Sequence, residues 1–256
     1  MLKHWHRRKT RRRAIVFIDY ESWFYSYKRL FHFRPDPRSF RAELEKEYDL
    51  EDIMIFGDFS PAEMAAELPG LRGITNTIIE TGNTFNRRKK DMTDFIMLDY
   101  IYQYADGHGK IDTYILLTGD GHFQSVVKYL TQKKKKEVLL YAVRGALSRQ
   151  LREAATQVQE LPREEELKRR YYGMILQYLE YAEHHAGIIP TFAETGETVA
   201  KQNQVNRGIV EQSLAELVHQ GYITKRSLRV KEGHSVKILT PEWERLRRDG
   251  WWDGRS

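Results

Sequence analysis

The sequence contains no cysteine, and this absence excludes disulfide bonds and thiolate-bound zinc. It fits a cytoplasmic protein, which is the location that we expect. No apolar run approaches the roughly 20 residues that a helix needs to cross a bilayer, so we expect no membrane partner. Internal repeats are missing too, which argues against a repeat architecture.

The chain is rich in positive charge, and that charge is clustered. The net charge is +6 and the isoelectric point is about 9.3. Residues 1–13 contain seven basic side chains and no acid, and further basic runs occupy residues 87–90 and 133–136. Such clusters attract polyanions without regard to sequence, although any single run is better explained as a solvated loop. Together the three runs favour a nucleic-acid partner.

Alternating strand and helix patterns predict an α/β domain, in which helices cover both faces of a central parallel sheet. The predicted strands are residues 14–19, 52–56, 76–80, 112–118 and 138–143. The predicted helices are residues 21–33, 61–68, 91–104, 123–133 and 146–161. Pro35 and Pro37 break the first helix, and Ser60 is the expected cap of the second. Phe95, Leu98 and Tyr102 share the apolar face of the third.

A charged break at residues 162–166 marks a change of pattern. Beyond it we predict helices at residues 167–184, 199–205 and 206–220, and strands at 222–224 and 236–239. Three helices followed by a β-ribbon are the layout of a winged helix. We therefore predict a basic disordered tail at residues 1–12, the α/β domain at 13–162, and a small α+β winged-helix domain that binds nucleic acid at 166–250.

In a winged helix that binds nucleic acid, one helix and the β-ribbon carry the contacts. Arg207 in the last predicted helix and Lys225 and Arg226 in the ribbon are the candidate contacts here. A group of tryptophans follows in the polar tail. It is expected either to fold back on this domain or to form a partner surface, and its members are Trp243, Trp251 and Trp252.

Three aspartates stand where a metal ion could bind. Asp19 ends the apolar run of the first strand, Asp120 follows the fourth, and Asp94 lies near the start of a predicted helix. The carboxyl ends of buried parallel strands meet in one crevice. Carboxylates crowded there repel one another unless a cation joins them, and a hard divalent ion such as Mg²⁺ suits an all-oxygen site. The pattern suggests metal-assisted phosphoryl transfer.

The segments IVFIDYES, KKDMTDFIMLDY and ILLTGDGHF, followed by VLLYAVRGALSRQLREAA, resemble the NYN domain. This is a PIN-like nuclease domain, with the LabA-like proteins among its relatives, and the resemblance covers about residues 13–162. It implies a PIN-like three-layer fold with Mg²⁺ or Mn²⁺ as cofactor. It also implies a metal-dependent endoribonuclease that acts on single-stranded RNA rather than DNA. PIN-like domains often pair, so a homodimer is expected by analogy alone.

The resemblance assigns catalysis and metal binding to Asp19, Asp94 and Asp120, with the Thr118 hydroxyl in support. Asp91 and Asp99 are further metal candidates. Asp91 is equally explained as a helix cap, and Asp99 is turned well away from the face of Asp94. The basic residues that precede Asp94 are candidate phosphate contacts, namely Arg87, Arg88, Lys89 and Lys90.

Two positions depart from the family pattern. Ser22 stands where the family usually has asparagine, and His122 stands where it usually has a second acid. Histidine binds Mg²⁺ poorly but accepts Mn²⁺ or Zn²⁺ more readily. His122 is predicted to be a general base or a phosphate contact, or else simply to cap the helix that follows.

The departures leave alternatives to an active ribonuclease open. One is a non-catalytic regulator that binds nucleic acid with a degraded site. Another is a protein-interaction scaffold that uses the tryptophans. Among neighbouring residues, Glu21 is interpreted as a charge that favours the N-terminus of its helix rather than as part of the crevice. The aromatic residues of that helix are assigned mainly to the core.

Overall fold

The structure, a computed structural model, describes residues 11–82, 92–107, 110–229 and 235–254. The chain divides into two compact units, the first ending at Leu161 and the second beginning at Pro162. Residues 1–10 of the predicted tail lie outside the described residues. Arg12, which was also assigned to the disordered tail, is instead the first residue of a strand, because it pairs in register with Tyr48. No helix in the described ranges is long and apolar enough to cross a membrane.

Six parallel strands form the central sheet of the first unit. They are β1 (Arg12–Asp19), β2 (Tyr48–Gly57), β3 (Ile78–Glu80), β4 (Thr113–Leu117), β5 (Glu137–Val143) and β6 (Gln157–Leu161). Their order across the sheet is β3-β2-β1-β4-β5-β6, and every pair is parallel. β1 is therefore central and covered on both faces, which explains its continuous apolar sequence.

Helices cover both faces of this sheet. The helices are α1 (Tyr20–Phe31), α2 (Pro37–Glu47), α3 (Ala62–Ala65), α4 (Leu68–Arg72), α5 (Met92–Gly107), α6 (Gln124–Lys128) and α7 (Arg149–Ala154). On one face Val16 and Ile18 pack against α1 to α4. On the other, Ile15 and Phe17 pack against α5 to α7. The predicted α/β fold with a central parallel sheet is confirmed.

Several predicted element boundaries were wrong for local reasons. Pro37 was expected only to break a helix, but it is also the first residue of α2. Asp36 caps that helix, because its side chain accepts hydrogen bonds from Arg38 N and Ser39 N. The helix predicted at 61–68 is two short helices, α3 and α4. Ser60 does not cap them, because it hydrogen-bonds to Asp58 instead.

The helix predicted at residues 146–161 was also wrong. Only α7 is helical there, and residues 157–161 form the edge strand β6, whose side chains alternate between exposed and covered. The helix predicted at 123–133 is split into a 3-10 turn (Gly121–Phe123), α6 and a π turn (Tyr129–Lys133). In α5 the buried stripe is Thr93, Met97, Ile101 and Ala105, whereas Phe95 is 64% exposed.

The second unit has three long helices followed by a two-stranded antiparallel ribbon. The elements are α8 (Glu164–His184), α9 (Phe192–Asn203), α10 (Arg207–His219), β7 (Ile223–Arg229), β8 (Ser235–Pro241) and α11 (Trp243–Arg248). α9 is longer than predicted because Thr191 caps it well upstream. The tryptophans pack against this unit's core, and Trp251 lies 4.9 Å from Tyr172 between ring centroids. Identification of the unit as a winged helix stays a prediction.

Candidate metal centre

The sheet brings the ends of its two central strands together. β1 and β4 are neighbours in which Ile18 pairs with Leu117, so Asp19 and the segment that carries Asp120 leave the sheet at the same edge. Asp94 lies in the first turn of α5, and the buried stripe of that helix packs against the same sheet. Carboxylates from three separate chain segments therefore converge at this edge.

Asp94, Asp120 and His122 form a cluster in which one ligand atom from each lies within 4.8 Å of the others. His122 Nδ1 lies 3.2 Å from Asp120 Oδ1 and 3.5 Å from Asp94 Oδ2. Asp19, Asp94 and Asp120 line one open cavity of about 400 Å³. Of the predicted catalytic residues, the three aspartates thus share a cavity and His122 joins two of them.

Asp19 is the deeply placed member of the group, with 6% of its surface exposed. The pKa of its carboxyl is raised to about 7, mainly by burial and in smaller part by the nearby charges of Asp94, Glu21 and Asp120. A hydrogen bond from Ser22 N to Asp19 Oδ1, 3.0 Å long, opposes that rise and makes Asp19 the N-cap of α1. The capping role and the place in the cavity therefore coexist.

Asp120 is held by the turn that follows β4. Its Oδ1 accepts a hydrogen bond from His122 N at 2.8 Å, so it caps the 3-10 turn on which His122 stands. Its own N–H donates to Thr118 Oγ1 at 3.2 Å, and Thr118 is buried. The supporting role predicted for the Thr118 hydroxyl thus has a specific contact. Asp120 therefore caps this turn, and the side chain of His122, which is largely exposed, does not.

Gly119 lets a second segment close over this turn. A Cβ atom at position 119 would lie 2.1 Å from the carbonyl oxygen of Ala146, a distance that no side chain tolerates. Ser148 N also donates to Gly119 O at 2.9 Å. The Thr-Gly-Asp sequence therefore has glycine because the backbone of residues 146–148 packs directly on it.

Not every predicted metal ligand reaches the cluster. Asp99 is exposed, accepts a hydrogen bond from Gln103 Nε2 at 2.7 Å, and does not line the cavity. It lies five positions after Asp94 in the helix, so it faces another direction. Asp91 lies outside the described residues. So do all of the predicted phosphate contacts before Asp94, namely Arg87, Arg88, Lys89 and Lys90.

In the second unit, the predicted nucleic-acid contacts are on the surface, but each already interacts with another side chain of this unit. Arg207 pairs with Glu211 at 2.7 Å and with Glu197 at 3.2 Å, so carboxylates already compensate its charge. Arg226 lies 3.8 Å from Glu242, and Lys225 Nζ lies 5.3 Å from the centroid of the Phe192 ring. Both side chains point from the exposed part of β7.

Helix α1 supplies a wall of the cavity that the sequence interpretation missed. Besides Ser22, which was expected, the lining includes Glu21, Tyr25, Ser26 and Arg29. Glu21 was assigned to the helix dipole, but it also accepts a 3.3 Å hydrogen bond from Asp58 N. The signal was present in the sequence, since residues 22, 26 and 29 follow the i, i+4, i+7 spacing of one helix face.

The donors of this cavity fit a divalent cation. The carboxylates of Asp19, Asp94 and Asp120 line the cavity, and the His122 imidazole stands beside two of them. Burial and the neighbouring acids raise the pKa of Asp19, as expected for carboxylates crowded together where no cation joins them. Carboxylate oxygens suit Mg²⁺ and Mn²⁺, and the imidazole favours Mn²⁺ over Mg²⁺.

Comparison with known proteins assigns the first unit to a family. The crystal structure of VPA0982 from Vibrio parahaemolyticus, a protein of unknown function, matches with a TM-score of 0.54 at 18% identity, covering 60% of this chain and 95% of that one. At that identity the likeness concerns the fold. No curated protein matches the chain. The model of the NYN domain matches residues 13–162, more than half of the sequence. The chain therefore belongs to the NYN domain family.

Proposed function

We propose that the protein is a metal-dependent ribonuclease that hydrolyses phosphodiester bonds of single-stranded RNA at the cavity beside β1 and β4. The observation that carries the proposal is the convergence of Asp94, Asp120 and His122 within 4.8 Å, where Asp94 and Asp120 line a cavity together with Asp19. NYN membership supports it, because this site stands at the carboxyl edge of the sheet in a nuclease-like domain.

The aspartates would hold Mg²⁺ or Mn²⁺, with Asp94 and Asp120 as direct ligands and Asp19 as the buried charge beneath them. A divalent ion bound there lowers the pKa of a water molecule and offsets charge that develops on the phosphate. Ser22 and Thr118 fix the two capping aspartates through the contacts described above. The residues thus supply both negative charge and fixed geometry.

His122 would manage the proton of the attacking water. Its Nδ1 faces the carboxylates of Asp120 and Asp94, so Nε2 is the nitrogen through which it would accept that proton. The water oxygen forms the new bond to phosphorus, the bond from phosphorus to the leaving ribose oxygen breaks, and that oxygen takes a proton from solvent. One water molecule is consumed for each bond that is cut.

The second unit is proposed to bind the RNA outside the cavity. Lys225 and Arg226 are exposed on β7 and offer positive charge to phosphates. Arg207 is a poorer contact than the sequence suggested, because binding would have to compete with Glu197 and Glu211. A winged-helix fold for this unit, a cytoplasmic location and a homodimer all stay predictions.

The test is cleavage of a mixed-sequence single-stranded RNA by purified protein with Mg²⁺, Mn²⁺ or EDTA. Asp120→Asn is the matched variant, because asparagine keeps the oxygen that caps the turn. We expect metal-dependent cleavage that this variant loses while it still binds RNA. An unaltered rate in Asp120→Asn, or no cleavage with any metal, would refute the proposal.

A second candidate is a regulator that binds nucleic acid without cutting it. The observation in its favour is the exposed imidazole of His122 at the position where the family resemblance expects a carboxylate. In that case Asp120→Asn and the wild type would bind RNA with similar affinity, and neither would release fragments. The cleavage assay therefore separates the two candidates.

A further inference from the structure

The wall that α1 contributes to the cavity changes its chemistry along the helix. At its N-terminus stands the buried carboxylate of Asp19, and in its last turn stands the exposed guanidinium of Arg29. Both side chains line the same cavity, together with Ser22, Tyr25 and Ser26 between them. The wall therefore runs from the acidic centre to a positive charge.

Arg29 differs from the neighbouring cations of its segment in having no acidic partner. Lys28 pairs with Glu63, and Arg34 pairs with Glu67 at 2.8 Å. Within the described ranges, no carboxylate pairs with Arg29. Its position near the C-terminus of α1 is favourable for the helix dipole, but that effect is small at an exposed site and does not explain why the side chain lines the cavity.

The spacing along α1 matches a substrate longer than one phosphate. Ser22 and Arg29 are seven positions apart, which is about 10 Å along a helix axis. A phosphate held at the carboxylate end is therefore out of reach of Arg29, whereas a neighbouring phosphate of the same strand is within its reach. Arginine is well suited to that contact, because its guanidinium can donate two parallel hydrogen bonds to a phosphate.

We propose that Arg29 binds a phosphodiester of the RNA backbone next to the scissile one, and that the single strand lies along the cavity wall formed by α1. The inference rests on the function proposed above. It assigns the contact to the catalytic unit itself, and it makes part of the RNA affinity independent of the metal. The acidic centre repels RNA when no cation is bound, and Arg29 offsets that repulsion.

The experiment measures both binding and cleavage for Arg29→Ala, Arg29→Lys and Lys28→Ala. Lys28 is the matched control, since it is an exposed cation on the same helix that does not line the cavity. Affinity for a labelled single-stranded RNA is measured in EDTA over a series of salt concentrations. The values of kcat and KM are measured with Mn²⁺, and thermal unfolding verifies that each variant is folded.

For Arg29→Ala we expect affinity to fall about tenfold, as befits a lost charged hydrogen bond. The slope of log affinity against log salt should become shallower by about 0.7, the value for one phosphate contact on a single strand. KM should rise in parallel while kcat changes little. Arg29→Lys should retain the salt slope but not the full affinity, and Lys28→Ala should match the wild type.

The outcomes separate this inference from the proposed function. If the wild type cleaves RNA and Arg29→Ala equals it in KM and salt slope, the inference is overturned and the ribonuclease stands. If the wild type binds RNA through Arg29 but never cleaves, the ribonuclease fails and the phosphate contact stands. If the wild type neither binds nor cleaves RNA, both are overturned. An equal loss of affinity in Lys28→Ala would also overturn the inference. The loss would then reflect the lower positive charge of the protein rather than a specific contact of Arg29.

Discussion

His122 Nδ1 lies 3.2 Å from Oδ1 of Asp120, the same oxygen that accepts the backbone N–H of His122. One carboxylate oxygen thus contacts both the backbone N–H and the imidazole of residue 122. Because the cap uses only the backbone of that residue, the side chain can be replaced without loss of the turn. The imidazole is therefore open to direct tests of its role.

The first prediction concerns metal preference. His122→Asp should raise the affinity for Mg²⁺ about tenfold and shift cleavage from Mn²⁺ toward Mg²⁺, because a hard carboxylate replaces nitrogen. His122→Ala should lower the rate with either ion, because the group proposed to accept the proton of the water is lost. Rates measured across Mg²⁺ and Mn²⁺ titrations check this, and an unchanged ratio of the two in His122→Asp would contradict it.

The second prediction separates the two roles of Asp120. Asp120→Asn keeps the capping oxygen and should leave the stability near that of the wild type, while cleavage falls about 100-fold. Asp120→Ala removes the cap as well and should cost about 1 kcal/mol of unfolding free energy in addition. Urea denaturation and cleavage assays on both variants provide the comparison. Equal stability of the two variants would show that the cap contributes nothing.

The third prediction concerns pH and the stability of the metal-free protein. Burial raises the pKa of Asp19 to about 7 from an ordinary value of 3.8, so the folded protein holds this proton more tightly than the unfolded chain. The stabilisation is complete below pH 3.8 and is lost as pH rises toward 7. The full loss is on the order of 4 kcal/mol.

Asp19→Asn has no such titration, and its side-chain oxygen can still cap α1. In EDTA its unfolding free energy should therefore exceed that of the wild type at pH 8 and fall less between pH 5 and pH 8. Mn²⁺ at pH 8 should stabilise the wild type more than the variant, since the ion compensates the buried charge. If the unfolding free energies of the two proteins in EDTA changed in parallel with pH, the raised pKa of Asp19 would be ruled out as their cause.

The fourth prediction tests the close packing at Gly119. Gly119→Ala should cost several kcal/mol or prevent folding, because the new methyl group would collide with the carbonyl of Ala146 at 2.1 Å. Gly70→Ala is the control, since a Cβ there meets no atom within 4 Å and the site lies in helix α4. That control should be neutral or slightly stabilising. Thermal unfolding of the two variants measures the difference, and similar melting temperatures would refute the packing argument.

The sequence by itself determined the alternation of strands and helices, the burial of the first strand on both faces and the three aspartates that line the cavity. Those features depend on local apolar patterns and on residue types at strand ends, which a chain displays without folding. Residues 157–161 were misassigned because a short edge strand next to a helix has no strong local signature. Phe95 was misplaced because its helical spacing with Leu98 and Tyr102 suggested that these three form the apolar face. The packing of α5 instead buries the stripe through Met97 and Ile101.

Only the tertiary structure decided which acids meet. Asp19 and Asp94 are 75 residues apart in sequence and line one cavity, whereas Asp99, close to Asp94 in the chain, faces elsewhere. The same holds for Arg29, which appears in the sequence as one basic residue among many. Its place at the cavity depends on how α1 packs across the end of β1. Distances between side chains of different strands depend on the order of the strands in the sheet. The hydrophobic pattern of the sequence does not encode that order, so only the folded chain sets the geometry of the site.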